Sequence, residues 1–180
     1  YSSAASDVYK RQRYGLDSVQ WVSALEEIDA ALSRRVPPGV GVLVTSDHGM
    51  VDVPVHRQVV LEAEHLDGVR HIGGEPRMLH VYVEPDADAA VVAERGRRDL
   101  EGLADVGTGQ EAIASGFFGP EVTSAAATRI GDVLVVARGN GAVYDGTAAD
   151  QRGRGMIGQH GGLTPEERQV PLLRFGAFAR

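Results

Sequence analysis

The stretch Val42–Val51, VLVTSDHGMV, decides how the rest of the chain is read. An apolar run, Val42-Leu43-Val44, stops at Thr45-Ser46-Asp47-His48-Gly49. A short unbroken apolar run bounded by turn residues reads as a strand covered on both faces, as in a parallel sheet. In open α/β sheets, ligands gather at the carboxyl ends of the strands. A carboxylate and an imidazole at that place are both good zinc ligands, at about 2.0–2.2 Å. On a regular strand adjacent side chains point to opposite faces, whereas on a tight turn they converge. Gly49 suits such a turn because it tolerates backbone angles closed to other residues. The same pair also fits an Asp that caps a loop beside a surface histidine. Local chemistry alone does not separate the two.

The sequence before this strand predicts a helix over Asp17–Val36. Trp21, Leu25, Ile28 and Leu32 fall on one face at helical spacing. Asp17 is placed to cap it, with Gln20 three residues on, and Pro37-Pro38-Gly39 ends it. Helix followed by buried strand is the rhythm of an α/β fold. Further on, Gln58–Glu62 reads as a short strand, Gly73-Gly74 as a turn or hinge, and Met78–Val83 as a strand. Ala87–Leu100 and Glu111–Ser115 read as helices. Asp132–Arg138 and Ala142–Asp145 flank a GNG turn and predict a hairpin. Thr147–Gly155 is a polar loop. Thr164-Pro165-Glu166-Glu167 carries a cap residue, proline at the first helical position and glutamate at the third. Val170–Leu173 reads as a final strand.

His160 sits in GQHGG, between glycines that let the backbone come close to an ion or an opposite loop. Taken alone, a solvated histidine in a mobile loop explains it better. His56, His65 and His71 lie in polar, loop-like sequence and His80 in a strand, where surface or satisfied-core roles are the expectation. Arg77, in GGEPR, is expected in a structural salt bridge rather than on an anionic ligand.

The chain has 180 residues, 43% hydrophobic and 24% charged, an ordinary soluble composition. Its net charge of −7 argues against general attraction to duplex nucleic acid or an anionic membrane. No apolar run approaches the roughly 20 residues of a membrane helix. Without cysteine there are no disulfides and no thiolate metal sites. The compartment stays open, with the cytoplasm as the default expectation.

The first residues differ in character from the rest. Lys10 is the only lysine, and every other member of the 18 basic residues is arginine. Ser2–Gln12, SSAASDVYKRQ, also spells one reading frame of a common sequencing-library transposase adapter. Residues 1–12 are therefore expected to be a non-native tail, to be set aside in reading the fold. The natural sequence is expected to begin near Arg13, in mid-protein.

Taken together, YGLDS, VTSDHGM and GQHGGLTPEERQVPLL resemble, in order and spacing, the C-terminal part of the type I phosphodiesterase/nucleotide pyrophosphatase family, within the alkaline phosphatase superfamily. The resemblance runs from Arg13 to the end, with GGEPR and IGDV as landmarks of its middle. It implies an α/β fold: a partial alkaline-phosphatase-like sheet with flanking helices, formed by residues 13–76 and 146–180. Residues 77–145 would be an inserted α+β cap-like subdomain. In such enzymes two zinc ions sit side by side. The resemblance assigns Asp47 and His48 to one ion and His160 to the other. It implies in-line displacement at phosphorus by a Thr or Ser hydroxyl, with a covalent phospho-enzyme, on a small phosphoester or nucleotide-like substrate. That nucleophile and the remaining ligands would lie upstream. One of those ligands, a histidine just before the x-Tyr-Gly stretch, falls at Gln12. The incomplete ligand set implies that this polypeptide is inactive. Two alternatives stand beside this reading: a metal-dependent phosphomutase of the same superfamily, whose DHG block continues with a polar residue where this chain has Met50, and a non-catalytic α/β fragment.

Overall fold

The computed structural model describes residues 3–33 and 36–179. In chain order the elements are helices α1 (Ser3–Tyr14) and α2 (Val19–Leu32), then strands β1 (Gly41–Thr45), β2 (Val51–Asp52), β3 (Gln58–Leu61), β4 (Val69–Glu75) and β5 (Met78–Val83). They continue with α3 (Ala89–Asp99), β6 (Ala104–Thr108), α4 (Gly109–Ala114), α5 (Ser124–Ala127), β7 (Val133–Ala137) and β8 (Ala142–Asp145). The last three are β9 (Gly158–Gln159), α6 (Pro165–Arg168) and β10 (Leu172–Gly176). Two compact units result. One comprises Tyr1–Asp52, Arg152–His160 and Pro165–Arg180; the other comprises Val53–Gln151 and Gly161–Thr164. No described helix is long and apolar enough to cross a membrane.

In the first unit, residues 3–12 of the expected non-native tail are helical, as part of α1. Arg11 is 7% exposed and ion-paired with Asp52, whose other oxygen accepts the Leu16 amide at 2.9 Å. The cap of α2 is Ser18, not Asp17. Ser18 Oγ accepts the Trp21 amide at 3.2 Å, while Asp17 has φ 62° and makes the turn instead. Gln20 then falls one position short of a capping box. The helix closes at Ser33, so it stops before the expected Val36, and Arg34 and Arg35 lie outside the described residues.

The strand over 41–45 is present, but its pairing differs from the expectation. β1 pairs antiparallel with β10, from Gly41 opposite Gly176 to Thr45 opposite Leu172. Nor is it covered on both faces: Leu43 is 55% and Leu172 52% exposed. An unbroken apolar run reports affinity for cover, and cover is a property of the partner. A second, two-residue pairing places Val51 opposite Gln159 and Asp52 opposite Gly158. Neither of its strands is long enough to carry a periodic signal.

The second unit holds a four-stranded antiparallel sheet in the order β4-β5-β7-β6, with β3 and β8 paired in parallel apart from it. The expected hairpin across GNG is absent. β7 has β5 on one edge and β6 on the other, so β8 has no edge to join and turns to β3. Gly73-Gly74 is no hinge either. Both lie inside β4, where a Cβ on Gly74 would stand 2.4 Å from the Met78 carbonyl oxygen. The core gathers Leu79, Val81, Val133 and Val135 from the sheet against Val92, Ala93 and Leu100 from α3 and its end. Arg77 is fully buried and donates to the Gly141 carbonyl, a structural role. His80 accepts the Gly131 amide on Nδ1 at 3.1 Å.

Leu100, at 2% exposure, is enclosed on all sides. Leu100→Ala is expected to lower stability by about 2–5 kcal/mol in urea unfolding. Val91→Ala, on the 62% exposed face of α3, should stay within about 0.5 kcal/mol.

Candidate metal centre

Asp47 and His48 follow β1 directly, in the first unit. The turn is braced from within. Ser46 Oγ donates to the His48 carbonyl at 2.6 Å, and the His48 amide donates to Asp47 Oδ1 at 3.0 Å. These bonds curl the backbone so that neighbouring side chains converge instead of alternating. Asp47 Oδ1 and His48 Nε2 stand 3.9 Å apart. Two ligands on one zinc ion are separated by at most about 4.4 Å, so this spacing permits a shared ion.

The protonation of His48 suits a ligand. Nδ1 lies 2.8 Å from the Gly49 carbonyl, which only accepts. Nδ1 must therefore carry the proton, which leaves the Nε2 lone pair free in the neutral ring. The Asp47 carboxyl is held below the usual carboxylate range, first by its own backbone amide, then by the His48 charge and the His48 amide. Its side chain is 79% exposed, so these groups bias it toward the anion without burying it.

His160 arrives from another direction and meets His48 face to face. The ring centroids are 3.9 Å apart and the planes differ by 20°. The β2–β9 pairing explains the meeting, because Val51 opposite Gln159 sets Met50 beside His160. Thus all three residues read from the sequence belong to one unit, and His48 and His160 are in ring contact. His56, His65, His71 and His80 belong to the other unit. His65 Nδ1 accepts the Glu62 amide at 3.1 Å and His71 stacks on Tyr82 at 5.8 Å, so both serve their own surroundings.

The donor set is nonetheless short. A structural or catalytic zinc ion takes three or four protein ligands. Two ions would share Asp47, His48 and His160 between them. Among the described residues no group of three His, Cys, Asp or Glu is arranged to hold an ion. The residues present thus fit parts of a zinc centre and not a whole one. Beside His48 lies a cavity of about 390 Å³ whose lining includes Trp21, Leu25, Met50, Val170 and Leu173. The lining is mostly apolar, with Arg11, Thr45, Ser46 and Gln169 as its other polar members.

Two structural partners of the site escaped the sequence reading. Ser46 braces the turn through a hydroxyl bond that has no pattern in sequence. Glu167, expected only as a helix-start residue, is 4% exposed, and its backbone carbonyl receives the Gly49 amide at 2.8 Å.

The sequence matches the type I phosphodiesterase/nucleotide pyrophosphatase family over residues 9–163. The chain belongs to that family. No curated protein matches it at the sequence level. Among solved structures, it is similar to human ectonucleotide pyrophosphatase/phosphodiesterase 5, at 14% identity and TM-score 0.64, over 93% of this chain and 44% of that one. It is similar also to an inactive variant of the murine protein in complex with AMP, at 17% identity and TM-score 0.69, over 94% and 44%. Phosphonoacetate hydrolase from Sinorhizobium meliloti 1021, in complex with phosphonoacetate, matches at 21% identity and TM-score 0.59, over 92% and 43%. These likenesses show a mixed α/β fold. The chain spans less than half the length of each of these structures.

Histidines of the second unit lend themselves to a pH test. Burial holds the His80 pKa below its ordinary value. The unfolded chain then binds the proton first. Stability should be full above about pH 6.5 and be lost as pH falls through the folded value. His80→Asn, whose side-chain carbonyl stands in for Nδ1, should flatten this acid-side slope in denaturation midpoints measured between pH 7 and about pH 5.

Proposed function

We propose that the chain is the C-terminal part of a metal-dependent phosphodiesterase or nucleotide pyrophosphatase. The reaction is hydrolysis of a phosphoester or phosphoanhydride bond in a small, nucleotide-like substrate. It passes through a covalent phosphoryl group on a Thr or Ser that belongs to a segment outside these residues. Asp47 and His48 serve one zinc ion and His160 the second. The observation that carries this reading is the ring contact of His48 and His160 at the end of β1, in a chain of this family. Ligands of two ions spaced by about 3.5–4 Å lie close to one another, and this contact is consistent with that. When bound, such ions supply charge compensation for phosphoryl transfer.

This chain's own residues prepare the place. The Gly49 carbonyl fixes the His48 tautomer, and the groups around Asp47 keep it anionic. The AMP in the murine relative motivates the nucleotide-like substrate. On this reading residues 13–76 and 146–180 belong to the catalytic core and residues 77–145 to an inserted cap-like subdomain.

Gln12 is the residue at fault for the missing ligand. We read residues 1–12 as adapter-encoded, with Gln12 in the place of a histidine. A Cβ built on Gly158 would stand 3.0 Å from the Gln12 Cα, so this turn of α1 lies against the strand that leads to His160. This contact supports a ligand at position 12 on the His160 side of the site. The amide of Gln12 is a poor substitute for an imidazole on zinc.

Calorimetric zinc titration tests this. The chain as it stands should bind zinc weakly, take up fewer than two equivalents and fail to hydrolyse an aryl phosphodiester. Gln12→His should raise the affinity by about tenfold or more, as expected for a regained ligand. Tight uptake of two zinc ions by the unaltered chain would overturn the reading of the donor set.

A further inference from the structure

The metal-binding turn is not held by β1 alone. Where it leaves the strand, the backbone of Gly49 lies directly on the backbone of α6. Its amide donates to the Glu167 carbonyl at 2.8 Å. A Cβ added at Gly49 would stand 1.8 Å from the Glu166 carbonyl oxygen and 2.9 Å from its carbon. No side chain fits there, and the obstacle is backbone, which cannot swing aside. The φ of Gly49 is not positive, so the glycine is required by space and not by backbone angle. This corrects the expectation that Gly49 serves the turn through unusual angles.

α6 is itself fixed. The Gln169 amide closes its turn on the Pro165 carbonyl at 2.8 Å, and Glu167 is 4% exposed although its side chain is ionisable. A carboxylate is buried only where its surroundings satisfy it. The segment also lies between the two halves of the site in sequence: His160 precedes α6, and β10, which follows it, pairs with β1, which ends at Thr45, two residues before Asp47. Through the His48 Nδ1 bond to the Gly49 carbonyl, the residue that α6 grips also orients the His48 ring.

We propose that α6 is the positioning element of the site, with Gly49 and Glu167 as its positioning residues, and that their backbone contact sets the stacking of His48 on His160. The proposal rests on the assignment of these histidines as ligands for its functional meaning, but its geometry can be tested without metal. Stacked imidazoles shift each other's ring protons by ring current, so the metal-free chain reports the contact directly in histidine-ring NMR spectra.

Gly49→Ala should remove the mutual ring-current shift of His48 and His160 while far-UV circular dichroism stays unchanged. Gly153→Ala is the control, since a Cβ there meets nothing within 4 Å. It should leave both ring signals in place. Should Gly49→Ala fail to fold, Glu167→Ala takes its role, with loss of the shift expected and with Glu167→Gln restoring it. Persistence of the ring-current shift in Gly49→Ala, or in Glu167→Ala, overturns the proposal. Absence of the shift from the unaltered chain overturns it too. If the shift behaves as expected while Gln12→His gains no zinc affinity, the positioning stands and the metal assignment fails.

Discussion

Two hydrogen-bonded pairings carry the site: β1 with β10, and β2 with β9. The first anchors β1, whose following turn carries Asp47 and His48. The second, only two residues long, sets His160 beside Met50. Isolated two-stranded ribbons are marginal in water, and a two-residue bridge is weaker still. Neither pairing can hold the histidines in register by its own hydrogen bonds. The remaining constraint comes from packing of backbone on backbone, at Gly49 against α6 and at Gly158 against α1. Both contacts exist because a side chain is absent. The glycines of DHG and GQHG therefore do more than loosen the loops: they let separate segments close to distances that bring two imidazoles into contact.

The two units differ in how their apolar residues are spent. In the second unit the sheet and α3 enclose a continuous core of Leu, Val and Ala. In the first, Ala24 is fully buried but Leu25, Leu43, Leu172 and Leu173 are each at least 44% exposed. The stripe Trp21, Leu25, Ile28 and Leu32 lines a cavity instead of a packed interface. An apolar face of this kind calls for cover, and is an aggregation hazard without it. Structures of similar fold are more than twice as long as this chain, since it spans 43–44% of them. The unit that carries the candidate ligands is thus the one whose packing is least complete, and its geometry depends all the more on the few contacts described above.

Much of this was legible in the sequence, and the omissions share a cause. Met78–Val83, the helix from Val19, α3 and α6 announce themselves through periodicity and caps, which are local. Asp47, His48 and His160 were singled out through the family resemblance and not through local chemistry, which left a capping Asp and a solvated histidine open; the structure brings the His48 and His160 rings together. What failed was non-local. The run at Val42–Val44 looked parallel and buried because its composition reports only what the strand would prefer to touch. The GNG turn looked like a hairpin because the turn is local and the competition for the edges of β7 is not. Ser18 displaced Asp17 as cap because Asp17 was needed, at positive φ, to turn the chain between two helices. Arg77 was read as structural, and from its fully buried position it donates to the Gly141 carbonyl.

Residues 11 and 12 separate fold from chemistry in a way that composition cannot. Arg11 is buried and paired with Asp52, and the helix that contains it packs against β9. Gln and His differ little in the helix, with Gln the slightly better former. The backbone is therefore indifferent to which of them stands at position 12. Under the proposed zinc assignment the donor set is not, because an ion already short of ligands gains or loses a large share of its affinity with one imidazole. A stretch of foreign residues can complete a helix and satisfy a neighbouring carboxylate while removing a ligand. On the proposed reading that is the state of this chain: the scaffold tolerates Gln12, and the metal centre does not.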